Sequence, residues 1–448
     1  MIREQAQALD AADLLAPLRD QFHLPRGDGL IYLDGNSLGL LPRATAARLQ
    51  QVVVDEWGEG LIGSWNSAGW MAMPTRIGDK IASLLGAGPG ELVVADSTSV
   101  NLFKLLSAAL AIQRQDAPAR RVLVSERSNF PTDLYIAQSL CHEQGCSLRL
   151  VDSPDQIVDA LDADTAVLML TQVNYRSGRL HDMAALNAAA HAAGALTLWD
   201  LAHSAGALPV ALNADGADFA VGCGYKFLNG GPGAPAFAWV RPALIDRCVQ
   251  PLSGWLGHAS PFDFATDYRP AAGITRMICG TPPVLALAAL ECGVDSLLAA
   301  EPLGGIAALR AKSLALTRLF ITRVAERCAG QGLLLVSPDA DAQRGSQVSL
   351  MFDPTSEACG AAYAVVQALI ERGVVGDFRA GSPVGRLAGS LAGSLAGSAE
   401  DCADILRFGV APLYTRFVDV WDAVEQLAAV LVHSEWRQAR HSLRAGVT

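Results

Sequence analysis

Between about residues 90 and 290, short apolar runs rich in β-branched residues alternate with alanine-rich stretches. The apolar runs predict strands at residues 92–94, 121–124, 147–151, 166–170, 195–199, 219–221 and 236–240. The stretches between them predict helices, among them 100–113, 131–144 and 181–193. Strands that alternate with helices usually lie parallel and are covered by those helices. The pattern therefore predicts an α/β fold with a mostly parallel sheet.

The two ends of the chain follow different patterns. Residues 1–30 indicate a helical arm, which a turn-rich stretch at 32–39 connects to a helix with Pro42 near its start. After residue 283, a helix-rich stretch precedes two short apolar runs at 332–336 and 347–352 and a helix near 357–371. We therefore predict an N-terminal arm (1–45), a large domain (46–290) and a smaller α+β C-terminal domain (291–448).

A Gly/Ser/Ala-rich insertion at residues 381–403 interrupts the small domain, and it contains three tandem Leu-Ala-Gly-Ser units at 387–398. Each glycine costs about 1 kcal/mol relative to alanine inside a helix, so a twelve-residue helix is disfavoured there. Three units are also too short for a repeat fold. The sequence predicts a loop.

Composition narrows the class of protein. The chain has 448 residues, of which 51% are hydrophobic and 18% charged, which is typical of a globular enzyme and not of a disordered protein. The net charge of −11 disfavours nucleic acid and anionic membranes as partners. Apolar runs are too short to span a membrane, and residues 1–20 lack the basic start and apolar block of a secretory signal. We therefore expect a cytoplasmic location.

Nine cysteines are scattered along the chain without a C-x-x-C pair, so they predict neither a zinc site nor a disulfide framework. We expect buried free thiols.

Lysines are rare, and the four present are Lys80, Lys104, Lys226 and Lys312. Codon bias explains such scarcity. The scarcity also draws attention to any lysine that is kept for chemistry that arginine cannot perform.

Asp200 and Lys226 form the strongest chemical pattern. Asp200 ends a predicted parallel strand, where open α/β sheets place their ligands, and Lys226 follows in a glycine-flanked loop. A lysine that bonds to an aldehyde and a carboxylate that pairs with a ring nitrogen are what pyridoxal phosphate requires. The alternative is a helix cap and a surface lysine.

Two further segments could complete such a site. Residues 97–101 place hydroxyls and backbone N–H groups where a strand ends and a helix begins, which suits a phosphate, although an ordinary helix cap has the same residues. Residues 129–133 offer the Phe130 ring and the Asp133 carboxylate after the next strand, although a Phe before Pro is more often a core residue. The glycines at 230–233 lack dinucleotide-loop spacing and predict a turn.

Several separated motifs resemble a known family. The strings Asp200-Leu-Ala-His203 and Gly224-Tyr-Lys226 resemble the fold-type I, aminotransferase class V group of pyridoxal-phosphate enzymes. Five more strings resemble the kynureninase family in particular, and they begin at Asp34, Asn129, Ser253, Gly280 and Leu406. The resemblance covers residues 30–430 and departs from the family pattern at the insertion, which separates residues 376–379 from 404–407.

The resemblance implies roles for individual residues. Lys226 would bond to the cofactor, Asp200 would pair with its ring nitrogen, and Tyr225 would relay a proton or bind the phosphate. The other implied cofactor contacts are Thr98, Ser99, Phe130, Asp133, Thr171, His203, Trp255 and Thr281. Arg407 would bind the substrate carboxylate. Core packing for His203, turns for Thr171 and Thr281, an interface anchor for Trp255 and a structural ion pair for Arg407 are the alternatives.

The implied activity is hydrolysis of L-kynurenine to anthranilate and L-alanine in tryptophan degradation. The resemblance also implies a homodimer in which Trp255 and Thr281 reach the neighbouring subunit's site. The alternatives are another class V enzyme, such as a cysteine desulfurase or an aminotransferase, and a non-catalytic Rossmann-like binding protein. The choice between kynurenine and 3-hydroxykynurenine stays open at this point.

Overall fold

A computed structural model describes residues 1–381 and 404–444. The loop predicted for 381–403 lies outside the described residues except for Gly381. The chain forms two compact units, a larger one of residues 41–174 and 181–298 and a smaller one of 1–40, 175–180 and 299–448. The boundaries predicted for the arm and the two domains stay predictions; in the structure, residues 1–40 belong to the same unit as 299–448.

A seven-stranded sheet forms the centre of the larger unit. Its strands are β2 (Leu92–Val94), β3 (Val122–Glu126), β4 (Ser147–Val151), β5 (Thr165–Thr171), β6 (Leu196–Asp200), β7 (Phe219–Gly222) and β8 (Phe237–Val240). They lie in the order β2-β8-β7-β6-β5-β3-β4, and only the pairs that include β8 are antiparallel. The prediction of a mostly parallel α/β sheet is confirmed.

Helices flank this sheet in the larger unit. They are α2 (Arg43–Gln51), α3 (Ser64–Ser67), α4 (Met73–Leu84), α5 (Thr98–Asp116), α6 (Pro131–Gln144), α7 (Met183–Ala192), α8 (Pro242–Ile245) and α9 (Val284–Leu298). The helix α2 continues into a π-helical stretch at Val52–Glu59. Every residue of β5 is buried, as a strand in the middle of a helix-covered sheet should be.

The smaller unit is α+β. An antiparallel sheet with the order β12-β13-β10-β9 contains β9 (Leu333–Leu335), β10 (Gln347–Phe352), β12 (Asp377–Arg379) and β13 (Ile405–Gly409). The strands β1 (Ile31–Tyr32) and β11 (Val374–Val375) form a separate parallel pair. The helices are α1 (Arg3–Ala11), α10 (Gly305–Arg327), α11 (Ala362–Glu371) and α12 (Phe417–Val432).

The expectation that all cysteines are buried is wrong. Eight cysteines fall in the described residues and all are free thiols, of which four are buried, three are partly exposed and Cys359 is exposed. Cys359 is exposed because it lies in the irregular stretch before α11.

Among the described residues, no helix is long and apolar enough to cross a membrane.

Candidate active site

The carboxyl ends of β5 and β6 bring two predicted site residues together. Thr171 ends β5, Asp200 ends β6, and the two are direct neighbours in the parallel register. Both side chains are buried. Parallel strands present their last residues at one edge of the sheet, which is where ligands bind in this class of fold. The local register thus places a hydroxyl beside a carboxylate at that edge.

Lys226 lies beside His203 in the loop after β7. The Lys226 Nζ is 3.0 Å from His203 Nε2, 6.0 Å from the centre of the Phe130 ring and 5.7 Å from the centre of the Tyr225 ring. The loop closes on itself through a bond from the Gly230 N–H to the Gly224 carbonyl. A Cβ on Gly224 would lie 2.4 Å from the Pro235 carbonyl oxygen, so this loop depends on glycine.

Asp133 and Asp200 form a hydrogen-bonded carboxyl pair. Burial raises the pKa of Asp133 well above its ordinary value, and the negative charge of Asp200 raises it further. Burial also raises the pKa of Asp200, but the Lys226 ammonium, the Ala202 N–H and the bond from Asp133 oppose this effect. The shared proton therefore resides on Asp133, which leaves Asp200 as the carboxylate.

Asn129 connects several of these residues, although sequence reasoning gave it no role. Its Oδ1 accepts a short hydrogen bond from the Thr171 hydroxyl and another at 2.7 Å from the Phe130 N–H. Its Nδ2 donates to the Ser125 hydroxyl at 3.1 Å, and Ser125 donates to the Met169 carbonyl at 2.7 Å. This chain fixes the first turn of α6 against β3 and β5. The signal in the sequence was its position directly before Phe130.

A cavity of about 460 Å³ opens at the N-terminus of α5. Its lining comprises Asp96, Ser97, Thr98, Tyr225, residues 233–236 and Pro283. The Ser97 hydroxyl caps α5 by accepting from the Val100 N–H at 3.3 Å. The first N–H groups of a helix have no partner within the helix, so Thr98 and Ser99 offer donors suited to a phosphate. Ser99 lies beside Thr98 in this first turn.

These residues fit pyridoxal phosphate in the chemistry that each part of the group requires. The cavity provides hydroxyls and helix N–H groups for the phosphate, and Asp200 is a buried carboxylate for the ring nitrogen. Lys226 provides an amine for the aldehyde, and its Nζ lies 6.0 Å from the centre of the Phe130 ring, which could face the cofactor ring. The donor set is therefore complete for the phosphate, the ring nitrogen and the aldehyde.

Trp255 and Thr281 lie on two adjoining surface segments of the larger unit. A Cβ on Gly254 would lie 1.7 Å from the Cys279 carbonyl oxygen. The two segments are therefore in contact at Gly254 and Cys279, which shortly precede Trp255 and Thr281 along the chain. Trp255 is 41% exposed and packs edge-on against Phe262, with ring centres 5.8 Å apart. Thr281 is also exposed.

Arg407 belongs to the smaller unit and is buried. Its Nη1 donates to the Tyr175 carbonyl at 2.8 Å and its Nη2 donates to Ser37 Oγ at 2.8 Å. Asp377 forms a short ion pair with the same Nη2 and a second ion pair of 2.7 Å with Arg379. Sequence reasoning missed Ser37 and Asp377, although Ser37 lies inside a string that resembles the family and Asp377 lies in the segment 376–379 before the insertion.

Asp34 lies in the same cluster of charges. The pKa of Asp34 is raised to about 7, because burial and then the charge of Asp377 raise it more than Arg407 lowers it. Burial lowers the pKa of Arg407, and Asp377 opposes that effect. The smaller unit thus holds two arginines and two carboxyl groups close together, with one of the carboxyl groups protonated more readily than usual.

Known proteins resemble this chain over its full length. The family model of the kynureninase C-terminal domain matches residues 309–427. The kynureninase of Pseudomonas fluorescens is 52% identical over 448 residues, which is 100% of this chain and 99% of that protein. The kynureninase of Burkholderia pseudomallei (strain K96243) is 53% identical, with 100% and 99% of the two chains covered.

Solved structures show the fold at much lower identity. A cysteine desulfurase from Thermococcus onnurineus NA1 superposes with a TM-score of 0.72 at 18% identity, covering 93% of this chain and 98% of that one. A cystine C–S lyase in complex with cysteine persulfide gives 0.73 at 15%, covering 91% and 99%. These likenesses support the fold, whereas the identity of more than half along the whole chain shows the family. The chain belongs to the kynureninase family.

Proposed function

We propose that this protein uses pyridoxal phosphate to hydrolyse the Cβ–Cγ bond of L-kynurenine, which yields anthranilate and L-alanine. The observation that carries the proposal is the placement of Lys226 Nζ beside His203 and next to the buried Asp133–Asp200 pair. The full-length similarity to two kynureninases supports the same substrate.

Pyridoxal phosphate, when bound, supplies a ring that accepts the electrons left on the substrate Cα when its proton is removed. Lys226 would hold the aldehyde of the cofactor through its amine, and the same amine, when free, would act as the general base for the substrate Cα proton. Its neighbour His203, 3.0 Å away, limits where the freed amine can lie. Phe130 offers a face against which the flat ring can pack.

Asp200 would stabilise a positive charge on the ring nitrogen, because its side chain is buried and the Lys226 charge, the Ala202 N–H and the bond from Asp133 favour its anionic form. Asp133 stabilises the anionic form of Asp200 by donating a hydrogen bond to it. Thr171 and Asn129 hold Asp133 and Phe130 in place.

Tyr225 is the candidate for proton relay once water has added to the γ-carbonyl. Its ring centre is 5.7 Å from Lys226 Nζ, and it also lines the cavity that contains Ser97 and Thr98. A phenol in this position can donate to a phosphate oxygen or to the reacting γ-oxygen, and both roles are compatible with its position.

The direct test is turnover by the purified protein with pyridoxal phosphate. Anthranilate release from L-kynurenine supports the proposal, and parallel kinetics with 3-hydroxykynurenine define the substrate preference. Sulfide release from L-cysteine without anthranilate would indicate a desulfurase. A colourless protein that does not retain the cofactor would indicate a binding protein. The full-length relatives do not favour either alternative.

Replacement of Arg407 by alanine is expected to raise the Michaelis constant for kynurenine about 10- to 100-fold with little change in kcat. A guanidinium–carboxylate contact exists in both the ground state and the transition state, and hydrogen bonds to charged groups contribute about 1.5–3 kcal/mol. Steady-state kinetics provide the measurement. Arg318→Ala is the control, since this arginine of the same unit pairs with Asp339 and Asp341 at the surface.

A substrate analogue without the α-carboxylate separates this role from a structural one. It should inhibit the wild-type protein and the Arg407→Ala variant equally. An unchanged Michaelis constant for kynurenine would mean that Arg407 serves only as the ion-pair partner of Asp377.

We also propose a homodimer in which Trp255 and Thr281 complete the neighbour's site. Large apolar side chains are exposed on the larger unit, among them Trp57 (59%), Ile62 (81%) and Phe264 (79%). Trp57 also lines an open apolar cavity of about 430 Å³, together with Val52, Trp70 and residues 283–286. Exposed apolar surface of this extent is typical of an interface, and the surface continues to Thr281 through Pro283.

Mixing two inactive variants is expected to restore activity if the sites are shared. One variant is Lys226→Ala and the other is the double variant Trp255→Ala/Thr281→Ala. Random pairing makes half of the dimers mixed, and one of the two sites in each mixed dimer is intact, so about a quarter of the sites recover.

The measurement is anthranilate release after the two variants are unfolded and refolded together, with each variant refolded alone as the control. Recovery is expected only in the mixture. A mixture as inactive as its components, with mixed dimers present by mass spectrometry, would contradict shared sites.

A further inference from the structure

Lys104 is completely buried in the second turn of α5, yet nothing in the proposed chemistry uses it. Its Nζ donates to Asp96 Oδ2 at 2.7 Å and to the Met277 carbonyl at 2.5 Å. A lysine is rarely buried to this degree unless its charge is paired. This lysine therefore has a specific partner, and that partner lies beside the proposed phosphate position.

Asp96 directly precedes Ser97, Thr98 and Ser99, which we call the phosphate loop, and it turns the chain into that loop. Its φ is +51°, in the left-handed region where Asp and Asn are the best-tolerated residues after glycine. Its carbonyl accepts from the Ala236 N–H at 2.9 Å, and Ser97 and Thr98 follow directly. Asp96, Ser97, Thr98 and Ala236 all line the same cavity. The direction in which the first N–H groups of α5 point thus depends on this turn.

The second contact of Lys104 reaches the segment that leads to Thr281. Met277 ends a short 3-10 helix (Gly273–Met277), and Cys279 follows two residues later. Burial raises the pKa of the Cys279 thiol, the Lys104 charge opposes the shift, and the nearby Asp96 carboxylate raises the pKa further through its charge and a hydrogen bond. The phosphate loop and this segment are thus joined through one ammonium group.

A carboxylate in a phosphate-binding cavity presents an electrostatic problem. A phosphate at the N-terminus of α5 would lie near the negative charge of Asp96, and like charges in a partly buried site repel each other strongly. The Lys104 ammonium neutralises that charge from the buried side, where it does not occupy the space of the ligand. The same contact holds the left-handed turn in place.

We propose that Lys104 is a positioning residue for the cofactor phosphate, which neutralises Asp96 and fixes the loop that presents Ser97, Thr98 and Ser99. This role rests on the proposed function only in that the ligand is pyridoxal phosphate. It does not depend on which substrate is cleaved.

The test compares the affinities of the full-length protein for pyridoxal phosphate and for pyridoxal, which lacks the phosphate, by equilibrium dialysis. Lys104→Met leaves Asp96 without a counter-charge and should weaken pyridoxal phosphate binding about 10- to 100-fold. Pyridoxal affinity should change less than about threefold, because pyridoxal has no phosphate charge for Asp96 to repel. The double variant Lys104→Met/Asp96→Asn removes both charges and should recover most of the loss.

Lys80→Met is the matched control, since it removes a lysine that forms ion pairs with Glu291 and Asp295 elsewhere in the larger unit. It should leave both affinities unchanged. Equal weakening of the two ligands by Lys104→Met would mean general destabilisation and would overturn the proposal. Unchanged pyridoxal phosphate binding, or a double variant no better than Lys104→Met, would overturn it as well.

If Lys104→Met does not fold, two substitutions at Asp96 decide the matter. Asp96→Asn keeps a residue that tolerates the left-handed turn and still accepts from Lys104, so phosphate-dependent affinity should be retained. Asp96→Ala loses both properties and should weaken pyridoxal phosphate selectively. Equal affinities in these two variants would refute the role of the turn. A protein that binds the cofactor as described but does not cleave kynurenine would contradict the proposed function alone.

Discussion

Replacement of Lys226 by alanine is expected to abolish anthranilate release, with a loss of about 10³-fold or more in kcat. The side chain has two roles in the proposed reaction, as the covalent anchor of the cofactor and as the base at the substrate Cα. Both roles need an amine, and no other lysine replaces it within the described site, since Lys104 is paired with Asp96 and Met277. The fold should persist, because Lys226 is only partly buried.

Two measurements separate loss of chemistry from loss of structure. Borohydride reduction followed by peptide mass spectrometry should link the cofactor to residue 226 in the wild-type protein and to no residue in the variant. The melting temperature without cofactor should match that of the wild-type protein. Lys80→Ala provides the control, because it removes a lysine of the same unit that only forms surface ion pairs. Normal turnover by Lys226→Ala would disprove the assignment.

Sequence reasoning predicted correctly where several candidate site residues lie on the elements of the fold. Asp200 ends β6, Thr98 begins α5 and Lys226 lies in the loop after β7. All three placements were predicted from the local sequence pattern. Predicted strand limits differ from the observed ones by at most two residues, as for 195–199 against Leu196–Asp200. Such shifts are small because apolar runs define the buried part of a strand.

Contacts between distant segments could not be predicted from local pattern. Lys104 meets Met277 across 173 residues and Arg407 meets Ser37 across 370 residues, and periodicity carries no information about such pairs. The antiparallel direction of β8 was missed for a related reason. The chain between Gly222 and Phe237 forms the Lys226 loop without a helix, so it does not make the crossover that a parallel strand would require.

Replacement of Asp200 by asparagine is expected to lower kcat about 10²- to 10³-fold while the cofactor remains bound. Asparagine has almost the same shape, and its side-chain oxygen can still accept the 2.7 Å hydrogen bond that the Ala202 N–H donates to Asp200 Oδ1. It has no negative charge, so the ring nitrogen of the cofactor loses the partner that keeps it protonated. The loss should therefore appear in kcat and in the absorbance spectrum of the bound cofactor, and the melting temperature should change little.

Asp133→Asn is the matched variant, because both carboxyl groups are buried but the pKa of Asp133 is raised by the Asp200 charge, whereas Lys226 opposes the rise in the pKa of Asp200. Burial and the Asp200 charge keep the proton on Asp133, so that an amide N–H can replace it as the donor to Asp200. Activity should then stay within about tenfold of wild type, as expected for exchange of one neutral donor for another. A loss in Asp133→Asn as large as that in Asp200→Asn would show that the anionic charge is shared by both carboxyl groups. In that case the pair, and not Asp200 alone, would hold the ring nitrogen protonated.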